Sequence, residues 1–486
     1  MTRIAGEAMA RLCLKAAKGT LTPLLALALL GCATPAPNPL DRPGDMPAAF
    51  TAPRADANAP AWPAADWWKS FRAAELPPLM DAASADNLDI AQAAARVRQA
   101  EASARLAFAG MLPQAEAGLG ASRRGSRAFS VNSFSATFSA SYVVDYLGEN
   151  RNLYRVAREN LRAYRYDAAV VGLAAQAAVA ETYFNILALR EQITITRRNI
   201  EAARRLLVIA QAKFDEGASS YRDVAQEQVV VSREEARLPL LAEQERQARY
   251  TLAILLGRPP EGFDIKGQNL DGLASPNVKG GLPSEILARR PDIARAEASM
   301  LAAHANLDAA RAAYFPRISL TGSAGWGSAA LDMLVNPASF VWTIGAKATQ
   351  AIFAGGSITA ENDRARAQQD ELVAAYRQAV FTAFQDVESA IGNVHSANAR
   401  LEATLGEARA AAEGYRVSEL QYREGTLDIT GLLSSQQQLF SAQTSLVDAR
   451  LQRLLGNVRL YIALGGGWQQ PDSDAAYQPP ANWSPL

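Results

Sequence analysis

Only two cysteines occur in the 486 residues, Cys13 and Cys32, both within the first 32 positions. The rest of the chain can therefore form no disulfide and no thiolate metal site. Histidine is equally scarce. His304 and His395 lie far apart inside Ala-rich stretches, where polar positions on helices account for them better than a catalytic or metal cluster does. Charge of either sign is not in excess, with 49 Lys and Arg against 49 Asp and Glu, so nothing points to nucleic acid or another polyanion. Aromatics reach only 7%. No Gly-rich loop followed by Lys is present, and no nucleophile–base set, so the expectation is a non-enzyme with no metal and no cofactor.

What is present begins with a basic start (Arg3, Arg11, Lys15, Lys18) and an apolar run from Leu21 to Leu30. The run is too short to span a bilayer and reads as the hydrophobic part of a secretory signal. It ends in Leu29-Leu30-Gly31-Cys32, which resembles the lipobox of bacterial lipoproteins. Cleavage at that point would leave residues 1–31 as a signal peptide and let Cys32 carry acyl chains, two or more of which anchor stably. In such lipoproteins Ala rather than Asp after the cysteine implies sorting to the outer membrane, and here it is Ala33. Residues 32–65, rich in Pro, Ala, Asn and Asp, suit an extended tether.

The rest is one design written twice. Asp89-Ile90-Ala91 and Asp292-Ile293-Ala294 open segments at an offset of 203, and Pro113 and Pro316 each follow 24 residues later. Glu216-Gly217 and Glu424-Gly425 each lie 40 residues before a second glycine, Gly257 and Gly465. The repeats are expected at 66–280 and 281–467, with a tail at 468–486. Each should run helix, two strands, very long helix, tight turn, shorter helix. Helices are expected at 84–112, 150–213 and 222–256, then at 284–312, 356–421 and 430–463. No proline interrupts 150–213 or 356–421, whereas Pro239 predicts a kink or break in its helix. A 64-residue helix is ~96 Å long. The two shorter helices of each half sum to nearly the same length, so stacked end to end they would match the long one. Residues 258–283, rich in Pro and Gly, should form an irregular belt at their junction. The apolar stretch 168–189 is largely Ala and reads as helix packing rather than a membrane span.

Strands are expected at 113–123, 133–147, 316–327 and 340–352, each with period-two alternation. Phe138 and Tyr142 alternate with Ser139 and Ser141; Trp326, Trp342 and Ile344 share the apolar parity against Ser323 and Thr343. Each run has about the 9–11 residues of a transmembrane strand. A four-stranded sheet with open edges is forbidden in lipid, because its unpaired N–H and C=O groups find no water there. Copies must share a closed barrel, and three would give twelve strands around an aqueous lumen. The fold class expected from the residues is thus an α+β membrane protein, with long helices and four strands per protomer, three copies closing a trimeric twelve-stranded barrel. The alternative of a helical spacer lipoprotein without a pore has no use for alternating strands.

Trp67-Trp68 with Phe71, Asn87-Leu88-Asp89-Ile90-Ala91, Pro291-Asp292-Ile293 with Tyr314-Phe315-Pro316, Tyr422-Arg423-Glu424-Gly425 and the ending Ala463 to Trp468 resemble the TolC/OprM-like outer-membrane factors. The likeness is to their NodT-type lipoprotein branch and covers nearly the whole mature chain. One departure is Asp145-Tyr146-Leu147-Gly148, where the family often has Phe. The resemblance implies a homotrimer in the outer membrane of a Gram-negative bacterium, its barrel continuous with a long periplasmic helical barrel that forms a roughly 100 Å tunnel. The tunnel's tip would dock a periplasmic adaptor, with an inner-membrane RND pump supplying the energy. It implies the passive exit duct of a multidrug efflux system, or alternatively a duct for type I protein secretion or metal-ion efflux. The turns at 214–221 and 422–429 map to the tip, which makes Asp215, Glu216, Gly217 and Asp223, with Glu419, Glu424, Gly425 and Asp428, the candidate gate and docking residues. Three copies would set their carboxylates in rings around the axis.

Replacing Cys32 by Ser should abolish incorporation of labelled fatty acid and leave the precursor uncleaved. Normal labelling of that variant would contradict the lipobox reading.

Overall fold

A computed structural model describes residues 62–276 and 283–468. Cys32, the signal peptide, most of the tether and the tail after Trp468 lie outside the described residues. The chain forms two compact units, one built from Arg98–Ala163 and Ala296–Arg377, the other from the described remainder.

The helices are α1 (Leu76–Asp86), α2 (Leu88–Ala109), α3 (Glu149–Asp215), α4 (Tyr221–Leu255), α5 (Pro291–Arg311), α6 (Ser357–Arg423) and α7 (Ile429–Ala463), with single turns elsewhere. The duplication is plain in their bounds. α3 and α6 have 67 residues each, α4 and α7 have 35 each, and the second pair begins 208 positions after the first (149 to 357, 221 to 429). At 1.5 Å per residue the long helices are about 100 Å. Neither contains proline.

Several boundaries differ from expectation for identifiable reasons. The helix expected over 84–112 is two helices, broken at Asn87. The Asn87 Oδ1 accepts from the N–H groups of Asp89 (2.9 Å) and Ile90 (3.1 Å), so a residue inside an unbroken apolar period acts as an N-cap. The helix expected over 284–312 begins at Pro291, whose fixed φ and missing N–H suit the first helical position. With 22 and 35 residues against 67, the shorter helices of the first half do not match the long one in length. Pro239 does not interrupt α4, which continues through it.

The stacking junctions are nonetheless real in both halves of the second unit. Asn87 Nδ2 donates to the carbonyl of Leu255 at 2.8 Å, fastening the end of α4 to the start of α2. Arg290 does the equivalent in the other half, donating to the carbonyl of Ala463 at 3.1 Å while holding Asp292 and Asp386. Gly257 and Gly465 follow α4 and α7 with φ of 66° and 91°. A Cβ on either would collide with a backbone carbonyl, that of Asp86 or Arg289. Residues 258–276 form no helix or strand. Arg190 pins this segment by donating to Glu245, to Asp264 and to the carbonyls of Ile265 and Gly267. Two carboxylates and two carbonyls offset the cost of a guanidinium that is largely out of water.

The apolar run 168–189 lies inside α3 and gives the one described helix apolar enough to cross a membrane. Its second half is core. Phe184 packs on Phe71 (ring centroids 5.2 Å apart) and Phe71 on Tyr461 (6.0 Å), with Trp67 stacked on Tyr461 at 5.3 Å. Val179, Phe184, Ile186 and Leu187 are buried.

Gly257→Ala and Gly465→Ala should each destabilise the protein by about 2 kcal/mol or more, since a left-handed φ and a backbone collision are both involved. Thermal unfolding of the detergent-solubilised variants, followed by circular dichroism, checks this; wild-type midpoints would contradict it.

Candidate functional site

The first unit carries one four-stranded antiparallel sheet, ordered β1 (Gln114–Gly125), β2 (Ser130–Val144), β3 (Arg317–Ser328) and β4 (Phe340–Thr349). The bounds shift by a few residues from those expected. β2 stops at Val144 rather than 147 because Asp145 turns to cap α3, its carboxylate accepting from the N–H groups of Asn150 and Arg151, both at 3.0 Å. β4 stops at Thr349 and leads to Gly355 and Gly356, both with positive φ. Tyr146 uses its hydroxyl to donate to the carbonyl of Pro316.

Registered partners in an antiparallel sheet point to the same face. One row runs Ala117, Phe138, Ala324, Trp342; the next runs Leu119, Ala136, Trp326, Phe340. Two further rows bring Ile344 beside Gly322 and Tyr142 beside Leu320. The five candidate lipid-facing residues, Phe138, Tyr142, Trp326, Trp342 and Ile344, thus share one face. The opposite face carries Glu116, Ser139, Ser323 and Thr343 in one row, and Gln114, Ser141, Thr321 and Gly345 in another. β1 pairs only with β2 and β4 only with β3, so two edges are unpaired.

In the second unit, the two helical hairpins turn at Gly217 (φ 71°) and Gly425 (φ 77°). Each glycine N–H closes the preceding helix onto a carbonyl, of Phe214 at 2.9 Å and Tyr422 at 3.1 Å. The candidate carboxylates then separate by what they hold. Asp428 is the N-cap of α7, accepting from the N–H of Gly431 at 2.9 Å. Asp223 accepts from the Ser220 hydroxyl at 2.8 Å, Asp215 from Gln211 Nε2 at 2.9 Å, and Glu419 is paired with Arg423. Glu216 and Glu424 are exposed at equivalent places in the two turns. Of the six, those two hold no local structure together.

Two features went unread in the sequence. Lys213, in the last turn of α3, donates to the carbonyl of Tyr422 and sits 4.2 Å from the centre of its ring, joining the two hairpins. Tyr422 was visible only as a mark of the repeat. Glu227 on α4 is 0% exposed, in a core with Val230, Val231, Leu432 and Phe440. Gln436 Nε2 donates to one of its oxygens at 3.3 Å; the other oxygen has no hydrogen-bond partner, nor does Gln436 Oε1. Burial pushes the Glu227 carboxyl up to about 7, against a smaller lowering by Gln436. No spacing rule distinguishes this glutamate from the solvated ones around it.

A model of the outer membrane efflux protein family matches the chain twice, over residues 79–258 and 282–466, once per repeat. The chain is 39% identical over 466 residues to the pyoverdine export outer membrane protein OpmQ of Pseudomonas aeruginosa, spanning 92% of this chain and 97% of that one. It is 29% identical over 409 residues to the cation efflux system protein CusC of Escherichia coli, spanning 84% and 89%. Among solved structures, the open state of the MtrE outer membrane channel of Neisseria gonorrhoeae superposes with a TM-score of 0.80 at 28% identity, over 90% of this chain and 98% of that one.

Folded Glu227 keeps its proton up to about pH 7, whereas an unfolded glutamate releases it near 4.5. Stability should therefore fall as pH rises from about 4.5 to about 7, by on the order of 3 kcal/mol. Glu227→Gln should remove that fall. Unfolding midpoints measured from pH 5 to 8 test it, and equal slopes for both proteins would contradict it.

Proposed function

The chain belongs to the outer membrane efflux protein family, and from that premise we propose that three copies close one twelve-stranded barrel through which small solutes leave the periplasm. It is an outer-membrane efflux channel of a Gram-negative cell. The observation that carries the proposal is the sheet, with an exposed apolar face, a polar face and two unpaired edges. In hydrocarbon such edges must pair, and only other copies offer strands of the same length and alternation. The polar face then lines the lumen with Ser, Thr and Gly, which suits passive conduction without a bound cofactor.

The acyl chains on Cys32 would add a second attachment beside the barrel. The hairpin ends would meet a periplasmic adaptor and, through it, an inner-membrane RND pump. Glu216 and Glu424, free of local duties, are the carboxylates best placed to form rings at that end, where they would favour cations. The relatives named for pyoverdine export and for cation efflux support a small solute as cargo rather than a secreted protein.

Purified protein in planar bilayers should give discrete conductance steps. Ile344→Lys, on the apolar face, should cost about 2–4 kcal/mol near the bilayer midplane and abolish insertion. Thr343→Lys, on the other face, should insert and lower the preference for cations. Absence of conductance from folded protein, or equal damage by both lysines, would contradict the pore or its facing.

A further inference from the structure

The four most exposed large hydrophobic residues among those described are Ile352 (92%), Phe353 (91%), Leu119 (90%) and Ile344 (80%). All four lie on the two open strands, β1 and β4, or on the chain leaving β4. The same strands each carry one charged residue on the polar face within the span they could share: Glu116 on β1 and Lys347 on β4. Glu116 accepts only from the Ser139 hydroxyl, at 3.2 Å, and neither residue has an ionic partner among the described residues.

We propose that β4 of one copy pairs antiparallel with β1 of the next in a single register that sets Lys347 opposite Glu116 of the neighbouring copy. The proposal rests on the trimeric-barrel reading and deepens it. Face parity restricts the choice, because a slip of one residue would turn every apolar side chain of one strand into the lumen. Allowed registers therefore differ in steps of two. In the proposed one, Ile344 lies opposite Leu119 of the neighbour on the apolar face, and Thr349 opposite Gln114, so the strands end level. The lumen side of the seam then brings Gly345 opposite Gly118, two positions with no side chain to obstruct the closure. Continued past the strand ends, the same register sets Ile352, the most exposed of these side chains, opposite Met111 of the neighbour.

Barrel geometry selects the same register by a separate route. The hydrogen-bonded row that starts at Gln114 passes through Ser141, Thr321 and Gly345. It would return to β1 of the next copy at Gly118, four positions on (118 against 114). Three such offsets give a shear of about 12 for 12 strands, and equal shear and strand number means a tilt of about 36°. The neighbouring registers, with offsets of two or six, tilt the strands by about 20° or about 48°. Only the proposed register falls inside the range of roughly 35–45° found for outer-membrane barrels.

The test uses full-length protein in outer membranes, with paired cysteine substitutions and an oxidant. Residues directly opposite across two antiparallel strands fall within disulfide reach, while those displaced by two do not. Ala346→Cys combined with Ala117→Cys should give covalently linked dimers and trimers of the chain. Ala346→Cys with Ala115→Cys, or with Leu119→Cys, should not. Cross-linking through position 115 or 119 instead, or through none of the three in an intact trimer, would overturn the register and leave the trimer standing. A monomer by native mass spectrometry would overturn the trimeric reading itself. Independently, Lys347→Glu should lower the fraction of trimer seen by native mass spectrometry, and the double change Lys347→Glu with Glu116→Lys should restore it. A double variant no better than the single one would remove the ion pair.

Discussion

Two rows of backbone N–H and C=O groups, along β1 and β4, have no partner among the described residues, and one face of the sheet they flank is apolar. In an aqueous protein that edge would be a liability managed by a lysine or a bulge. In lipid it is a requirement for other copies, because each unpaired group costs several kcal/mol and none can be hydrated. In the proposed barrel, oligomer and pore both follow from this one interaction. There the alternating side chains would decide which face meets lipid, four strands would be too few for a lone copy, and the closed product would enclose the polar side chains.

The helices meet a related demand by repetition. Each half supplies one 67-residue helix and a shorter pair whose ends are fastened by a buried polar group, Asn87 in one half and Arg290 in the other. The two fasteners differ in chemistry, yet both donate to carbonyls at the C-terminal ends of the helices stacked on them, α4 and α7, which would otherwise be unsatisfied in the interior. Gly257 and Gly465 let the backbones approach closely enough for this. At the far end of the same helices the packing is looser in its polar accounting. Glu227 and Gln436 leave oxygens unpaired, and Lys213 joins two hairpins through one carbonyl and one ring. That end holds several of the buried polar atoms left without a partner among the described residues.

Much of this was legible from the residues. Period-two alternation placed the strands and their faces, because side-chain direction in a strand depends only on parity. The long Ala-rich, proline-free stretches placed the long helices, and the spacing of paired glycines exposed the duplication. Other elements were hidden for physical reasons. Asn87 stops a helix through a side-chain cap that depends on which carbonyl lies within reach, and the apolar period runs straight through it. Pro239 removes a hydrogen bond without ending its helix. The six carboxylates at and beside the two hairpin turns look alike in sequence; only their partners show that Asp428 caps a helix and Glu419 is paired with Arg423, leaving Glu216 and Glu424 unengaged.

The central claim is that the edge strands are paired when the protein is in a bilayer. Amide hydrogen–deuterium exchange in lipid nanodiscs measures this directly, strand by strand. The account predicts that amides of β1 and β4 are protected to the same degree as those of β2 and β3. Rapid exchange along β1 and β4, beside slow exchange in the two central strands, would mean that the edges stay open and would contradict it.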